Sequence, residues 1–196
     1  MQSRHISAKS KIRKALVTLM LRKPFETITI SDITLQARVN RSTYYYHYYK
    51  KEEILEEVVK RSAYDLLAAM KAPYQSGSEF QIDESVLPST LTLFEHVHQH
   101  QYYYQVLLTN ENSLNFQNEF TKILKGFLEN ATTNIYKETG DSLIDQNIFT
   151  SYQAYAVLGM IKQWIEGEFL HSPQYMAEQL TNILYLKVDK VYFNFS

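Results

Sequence analysis

Apolar residues at helical spacing, with very few helix breakers between them, constrain the fold of this chain more than any other feature. Only five glycines and four prolines interrupt 196 residues, too few for a fold built from strands and tight turns. Residues 8–22 carry apolar side chains at every third or fourth position, with cations on the opposite face. The sequence therefore predicts an all-α fold.

The same spacing divides the chain into helices. The segment "TITI" at residues 27–30 alternates like a strand, but it is short and runs into Ser31 and Asp32, whose side chains suit a helix N-cap. We therefore expect it to be an extended lead into a helix. Helices are predicted at 8–22, about 31–38, about 41–47, from Lys51 onward, and near 90–108, 113–138, 143–171 and 173–192.

Composition also divides the chain into domains. Residues 73–90 combine two prolines, one glycine and several serines, which is typical of a linker. We predict a head at residues 1–51, a connecting helix at 52–72, the linker at 73–90 and a larger helical domain at 91–196.

Charge is distributed unevenly between the head and the rest of the chain. Residues 1–51 contain eleven Lys and Arg but two acidic residues, whereas residues 52–196 contain nine basic and nineteen acidic residues. A basic head on an acidic body favours a polyanionic partner, although a solvated basic helix would look the same. The chain has no cysteine, no signal-peptide pattern and no apolar run of membrane-spanning length, so we expect a cytoplasmic protein with no membrane partner.

The most unusual stretch is "RSTYYYHYYKK" at residues 41–51, which packs five tyrosines into a short basic helix. Tyr44 and Tyr48 are four residues apart and share a face, so we expect both to pack inward. Tyr45, Tyr46 and Tyr49 then point elsewhere, where a phenol can contact a base or a phosphate. The alternative is that all five rings are ordinary packing. Two short helices joined by a tight turn, after a supporting helix, describe a helix-turn-helix.

The segment "TISDITLQARVNRSTYYYHYYKKEEIL" from Thr29 to Leu55 resembles the helix-turn-helix head of TetR-type regulators. Arg38 stands where that family has its turn glycine, so the turn must avoid a positive φ or accept one at a non-glycine residue. Asn40 replaces the usual serine and keeps the cap chemistry. The matching positions are Thr29, Ile33, Ala37, Val39, Thr43, Tyr45, His47 and Lys51.

The resemblance implies an all-α dimer with a DNA-binding head and a larger effector or dimerisation domain. Carried over by position, Arg41, Ser42 and Tyr46 are expected to face bases, and Tyr45 is able to contact either bases or phosphates. The expected phosphate contacts are Thr43, Tyr45, His47 and Lys51, with Thr29 and Ser31 as a further clamp at the start of the second helix.

The second half is similar to the C-terminal domain of many regulators of Gram-positive bacteria, a group that includes activators of dihydroxyacetone-kinase operons. The likeness rests on "WIEGEFLHSPQYM" at 164–176 and on "HQHQYYYQVLL" at 98–108. It implies that the last two helices pair across a dimer axis, whereas the alternative is a hairpin within one chain. The expected dimer residues are Gly159, Trp164, Leu180 and Leu184.

Aromatic residues of the second domain suggest a cavity that binds an effector. The effector is expected to be a small molecule or a protein. The alternative is that these rings fill a core. The predicted lining is Phe94, Tyr102, Tyr103, Phe120, Phe127, Tyr152 and Tyr155.

Other chemistry has little support in the sequence. His96 and His100 have the spacing of half a metal site, but an alternating His96, His98, His100 triplet on a helix cannot direct three rings at one ion. No nucleotide-binding, nucleophile-elbow or zinc-protease motif occurs, so we expect no enzyme, metal or cofactor. The alternatives to a DNA-binding regulator are a helical small-ligand carrier and an adaptor whose head binds another protein.

Overall fold

The computed structural model describes residues 7–74, 86–109, 113–139 and 145–185, and within these ranges the regular elements are helical. The head contains α1 (Ala8–Met20), a 3-10 turn (Phe25–Thr27), α2 (Ile30–Ala37) and α3 (Arg41–His47). The long helix α4 (Lys51–Lys71) leaves the head. The remaining helices are α5 (Pro88–Gln99), α6 (Gln101–Thr109), α7 (Ser113–Thr139), α8 (Gln146–Glu166) and α9 (Pro173–Tyr185).

One apolar core runs through both halves of the molecule. In the head α1 packs on α2, α3 and α4, and in the second half α4 packs on α5 and α7. Helix α7 then packs on α8, and α5 on α9. The core of the head contains fully buried side chains such as Ile12, Leu16, Ile33 and Tyr44. In the second half, Phe94 is fully buried in the same way. The predicted all-α fold is confirmed.

Local chemistry explains the start of α2, which differs slightly from the prediction. The N-cap is Thr29, not Ser31 or Asp32, because Thr29 and Asp32 form a reciprocal capping box. The Thr29 Oγ1 accepts a hydrogen bond from the Asp32 amide at 3.1 Å, and the Thr29 amide donates to Asp32 Oδ2 at 2.8 Å. Of "TITI", Thr27 closes the 3-10 turn, Ile28 is extended and Ile30 already begins the helix.

Two of the helices predicted in the second half differ from the structure. The helix expected at 90–108 begins at Pro88 and breaks at His100, whose φ of −110° and ψ of 25° separate α5 from α6. The helix expected at 143–171 ends at Glu166, because Glu168 and Phe169 adopt positive φ values of 52° and 57°. The helix expected at 173–192 begins at Pro173, and its predicted end lies outside the described residues, as does most of the predicted linker.

Candidate nucleic-acid interface

A tight turn between α2 and α3 sets the direction of the tyrosine-rich helix. Arg38 ends α2 in the left-handed region, with φ 53° and ψ 49°, so the turn accepts a positive φ at a non-glycine residue. Asn40 then caps α3, because its Oδ1 accepts hydrogen bonds from the Thr43 amide at 2.7 Å and from the Ser42 hydroxyl at 2.8 Å. The two caps make α2, the turn and α3 a helix-turn-helix.

The tyrosines of α3 divide between core and solvent as the sequence predicted. Tyr44 is fully buried and Tyr48 is 4% exposed, whereas Tyr46 and Tyr49 are more than four-fifths exposed and Tyr45 is half exposed. Burial raises the pKa of both Tyr44 and Tyr48 to about 12, so neither phenol ionises near neutral pH. The alternative, in which all five rings are packing, is wrong.

A partly buried polar cluster around Glu57 of α4 links this helix to α1 and to the end of α3. The Tyr48 hydroxyl donates to Glu57 Oε2 at 3.0 Å, Arg13 donates to Oε1 at 2.6 Å, and Lys9 lies 2.8 Å from Oε2. Burial raises the pKa of Glu57, but the bonds from Lys9 and Tyr48 and the charge of Arg13 outweigh it and leave the pKa lowered. No sequence pattern indicates this cluster, because Arg13 and Glu57 are far apart along the chain.

Thr29 and Ser31, the predicted phosphate clamp at the start of α2, both make hydrogen bonds within the head. The Thr29 hydroxyl donates to Asp32 Oδ2 at 2.8 Å, and Lys23 Nζ reaches the same oxygen at 2.8 Å. The Lys23 ammonium and the Thr29 donors hold the pKa of Asp32 well below its usual range. Arg41 donates from Nη2 to the exposed Ser31 hydroxyl at 2.7 Å, which places a guanidinium beside the clamp.

Lys51, predicted as a phosphate contact, makes its hydrogen bonds within the head. Its ammonium donates to the carbonyl oxygens of Phe25, Glu26 and Ile28 at 2.7, 2.9 and 2.9 Å, and lies 4.6 Å from the centre of the Phe25 ring. An ammonium has three donors, and all three are used. Lys51 therefore fastens the 3-10 turn to the start of α4.

The seven aromatic residues predicted to line an effector cavity do not come together. The rings of Tyr102, Tyr152 and Tyr155 are more than three-fifths exposed, whereas Phe94 and Phe120 are fully buried in the core. The half-buried Phe127 packs against that core, and Tyr103 lies against the head side of the domain. The exposed rings lie on faces of α6 and α8 that turn away from the core, whereas Phe94 and Phe120 lie on the core-facing sides of α5 and α7.

The four predicted dimer residues also separate into two environments. Trp164 is buried and donates from Nε1 to the His171 carbonyl at 3.0 Å, with the Phe169 ring 5.0 Å away, and Leu180 is buried as well. Gly159 and Leu184 lie on exposed helix faces. Trp164 thus stabilises the fold within one chain rather than facing outward.

The histidine triplet is also divided. The rings of His96 and His100 lie 4.5 Å apart between centroids, whereas His98 stacks on Trp164 at 5.9 Å. In the part of the chain that the structure describes, no three potential ligand side chains are grouped closely enough to hold a metal ion. None of the described helices combines the length and the hydropathy that a bilayer crossing requires.

Comparison with known families decides what this helix-turn-helix belongs to. The family described as bacterial regulatory proteins, tetR family, matches residues 12–58, from within α1 to the first turns of α4. A second model, described as the transcriptional regulator C-terminal region, matches residues 84–186, more than half of the chain. The chain belongs to the TetR family. It is a TetR-family transcriptional regulator with an N-terminal helix-turn-helix domain and a helical C-terminal domain.

Solved structures of TetR-family regulators share this fold along nearly their whole length. A regulator from Syntrophomonas wolfei is 17% identical with a TM-score of 0.71, covering 90% of this chain and 92% of that one. The dihydroxyacetone kinase operon activator DhaS is 20% identical with a TM-score of 0.64, covering 92% and 95%. A regulator from Streptococcus agalactiae is 20% identical with a TM-score of 0.61, covering 90% and 93%. No curated protein sequence matches the chain.

Proposed function

We propose that this TetR-family regulator binds a palindromic DNA operator as a homodimer, in the cytoplasm where the DNA is, under the control of a small-molecule or protein effector. The observation that carries the proposal is the division of α3, whose Tyr44 and Tyr48 anchor one side while Tyr45 and Tyr46 project into solvent. A recognition helix needs such an anchored inner face and a free outer face to enter the major groove.

The outer face of α3 has the chemistry for both kinds of DNA contact. Arg41, Ser42 and Tyr46 are exposed and are assigned to base edges, where an arginine reads guanine through two acceptors. Thr43 and His47 flank them and are assigned to phosphates, together with Ser31 at the start of α2. Tyr45 stands between the two groups and can serve either.

The exposed apolar face of α8 supports the dimer. Ile148, Tyr152, Tyr155 and Gly159 recur at helical spacing, and the first three side chains are each more than three-fifths exposed. Ile183 and Leu184 of α9 are about half exposed. Exposed apolar side chains of this kind are typical of a surface that pairs with a second copy of the chain.

A binding-site selection from random duplexes, followed by fluorescence anisotropy at several salt concentrations, tests the DNA-binding proposal. A dimer that touches about eight phosphates gives a slope of about −7 in log K against log salt. Arg41→Ala should relax the preference at one base pair of each half-site, and Tyr46→Ala should weaken specific binding. Tyr64→Ala is the matched control, because Tyr64 is also a largely exposed phenol, at 66%, but lies on α4.

Two results would contradict the proposal. The first is no binding to any duplex at low salt by a folded protein. The second is an equal effect of Tyr46→Ala and Tyr64→Ala, which would remove α3 from the interface.

A further inference from the structure

A cleft of about 240 Å³ lies between the head and the second half of the molecule. Helix α1 contributes Arg13, α4 contributes Arg61 and Asp65, and the α5–α6 corner contributes His96 and Tyr104. Its walls therefore come from both matched family regions, and it is separate from the outer face of α3 and from the exposed face of α8.

One buried hydroxyl in this cleft has no partner among the described residues. The Tyr104 side chain is 1% exposed, and its Oη makes no hydrogen bond. The ring makes edge-to-face contacts with Phe116 and Phe120, whose centroids are 5.8 and 6.3 Å away. Burial raises the pKa of Tyr104, which keeps the phenol protonated as a donor. A buried donor left unpaired is costly, and a ligand acceptor would satisfy it.

The charged side chains that line the cleft are two guanidiniums, Arg13 and Arg61, and one carboxylate, Asp65, whose charge adds to the effect of burial on the pKa of Tyr104. The guanidiniums of Arg13 and Arg61 oppose the effect of burial on the pKa of Tyr103, the other phenol of the cleft, so both charges reach this side of α6. The carboxylates near these guanidiniums are Glu57, already bonded to Arg13 and Lys9, and Asp65, whose Oδ2 lies 3.7 Å from Arg61 Nε. Two guanidiniums thus face one loosely paired carboxylate.

The histidine pair adds donors to the same wall. His96 and His100 line the cleft with their ring centroids 4.5 Å apart, and the His96 ring lies 6.0 Å from that of Tyr104. Burial and the neighbouring His100 lower the pKa of His96 to about 4, although Asp65 opposes them, so His96 is neutral near pH 7. A neutral imidazole keeps one N–H donor, and an anion beside it would favour the charged form.

We propose that this cleft binds a small oxyanion, a carboxylate or a phosphate monoester, through Arg13, Arg61 and the Tyr104 hydroxyl. Both groups present several acceptor oxygens, which matches a site made of donors on two guanidiniums, a phenol and two imidazoles. Because the donors belong to α1 and to the α5–α6 corner, the bound anion would tie the head to the second half. It would thereby change the affinity for DNA, a consequence that rests on the proposed function.

Thermal melts of the full chain at constant ionic strength test the site, with inorganic phosphate and malonate as the two probes. At least one probe should raise the melting temperature in a saturable way, and comparison of the two separates phosphate from carboxylate. Tyr104→Phe should bind that probe about ten- to a hundredfold more weakly, because one hydrogen bond to a charged group is lost. Arg61→Gln should also bind more weakly, and it should still fold because the Arg61 side chain is 61% exposed.

Tyr44→Phe is the matched control, since Tyr44 also has a fully buried hydroxyl without a partner, but in the core of the head. It should keep the full response to the anion. In an NMR titration the probe should also raise the pKa of His96, and this readout does not depend on the stability of the fold. No saturable shift with either probe, or an equal shift in Tyr104→Phe and the wild type, would overturn the site.

Anisotropy with operator DNA tests the coupling separately. If the wild type binds DNA, the probe should change that affinity in the wild type and leave it unchanged in Tyr104→Phe. An unchanged affinity in the wild type would overturn the coupling. A chain that binds no DNA contradicts the proposed function, and the melts and the NMR titration then still decide the anion site.

Discussion

Replacing Lys51 should damage the stability of the head before it affects contacts with DNA. The Lys51 ammonium fills its three donors with the carbonyls of Phe25, Glu26 and Ile28. At about 1 kcal/mol for each bond, a low value because the site is partly exposed, Lys51→Met should lower the free energy of unfolding by about 3 kcal/mol. At about 2–4 °C per kcal/mol for a chain of this size, the melting temperature should fall by about 6–12 °C.

Urea unfolding and anisotropy on the same samples separate the two roles. Methionine keeps the apolar stem over the Phe25 ring, so the loss reports the three hydrogen bonds rather than packing. Lys50→Met is the control, because Lys50 is an exposed neighbour and its replacement should stay within about 0.5 kcal/mol of the wild type. The reasoning is refuted if Lys51→Met unfolds like the wild type while the salt slope of DNA binding falls by about one unit per subunit.

Three further pairs of substitutions test the core, the turn and the dimer. Tyr44→Phe should stabilise the head by about 1 kcal/mol in urea unfolding, because it removes a buried hydroxyl without a partner. Tyr44→Ala should instead lower the free energy of unfolding by about 3–5 kcal/mol. A destabilised Tyr44→Phe would mean that the hydroxyl is bonded. Because Arg38 has a φ of 53°, Arg38→Gly should leave the free energy of unfolding unchanged or raise it by up to about 1 kcal/mol. Arg38→Val should lower it by more than about 1 kcal/mol. Equal melting temperatures for the two variants would contradict a strained turn. Gly159→Leu should weaken the dimer in light scattering. It should not unfold the chain, because a Cβ at this position meets nothing within 4 Å. Gly126→Leu on α7 is the control, since it has the same open space and should leave the dimer intact. A Gly159→Leu dimer as tight as the wild type would remove α8 from the interface.

Features that depend on neighbours along the chain were predictable from the sequence. The inward pair Tyr44 and Tyr48 follows from four-residue spacing, and the cap at Asn40 follows from its side chain. The break at His100 was not predictable, because no glycine or proline marks it and hydrogen bonds from Tyr103 and Tyr104 to its carbonyl begin the next helix at once.

Features that depend on packing between distant segments were not predictable in the same way. The aromatic residues proposed to line a cavity were chosen by residue type, but α6 turns Tyr102 outward and buries Tyr104, two positions away. The family resemblance placed Lys51 at a phosphate, and only the fold shows that three carbonyls of a turn some 25 residues earlier surround its ammonium. Whether the assigned residues contact DNA stays a prediction.

The Glu57 cluster gives α4 the mechanics of a lever. Because Glu57 bonds to Tyr48 at the end of α3 and to Arg13 of α1, we expect α3 to move with the first turns of α4. With 21 residues α4 is about 32 Å long, so a tilt of about 6° around its far end carries α3 through about 3 Å. That is close to the rise of about 3.4 Å between neighbouring base pairs, and a shift in two halves of a dimer would bring both recognition helices out of register with a fixed operator.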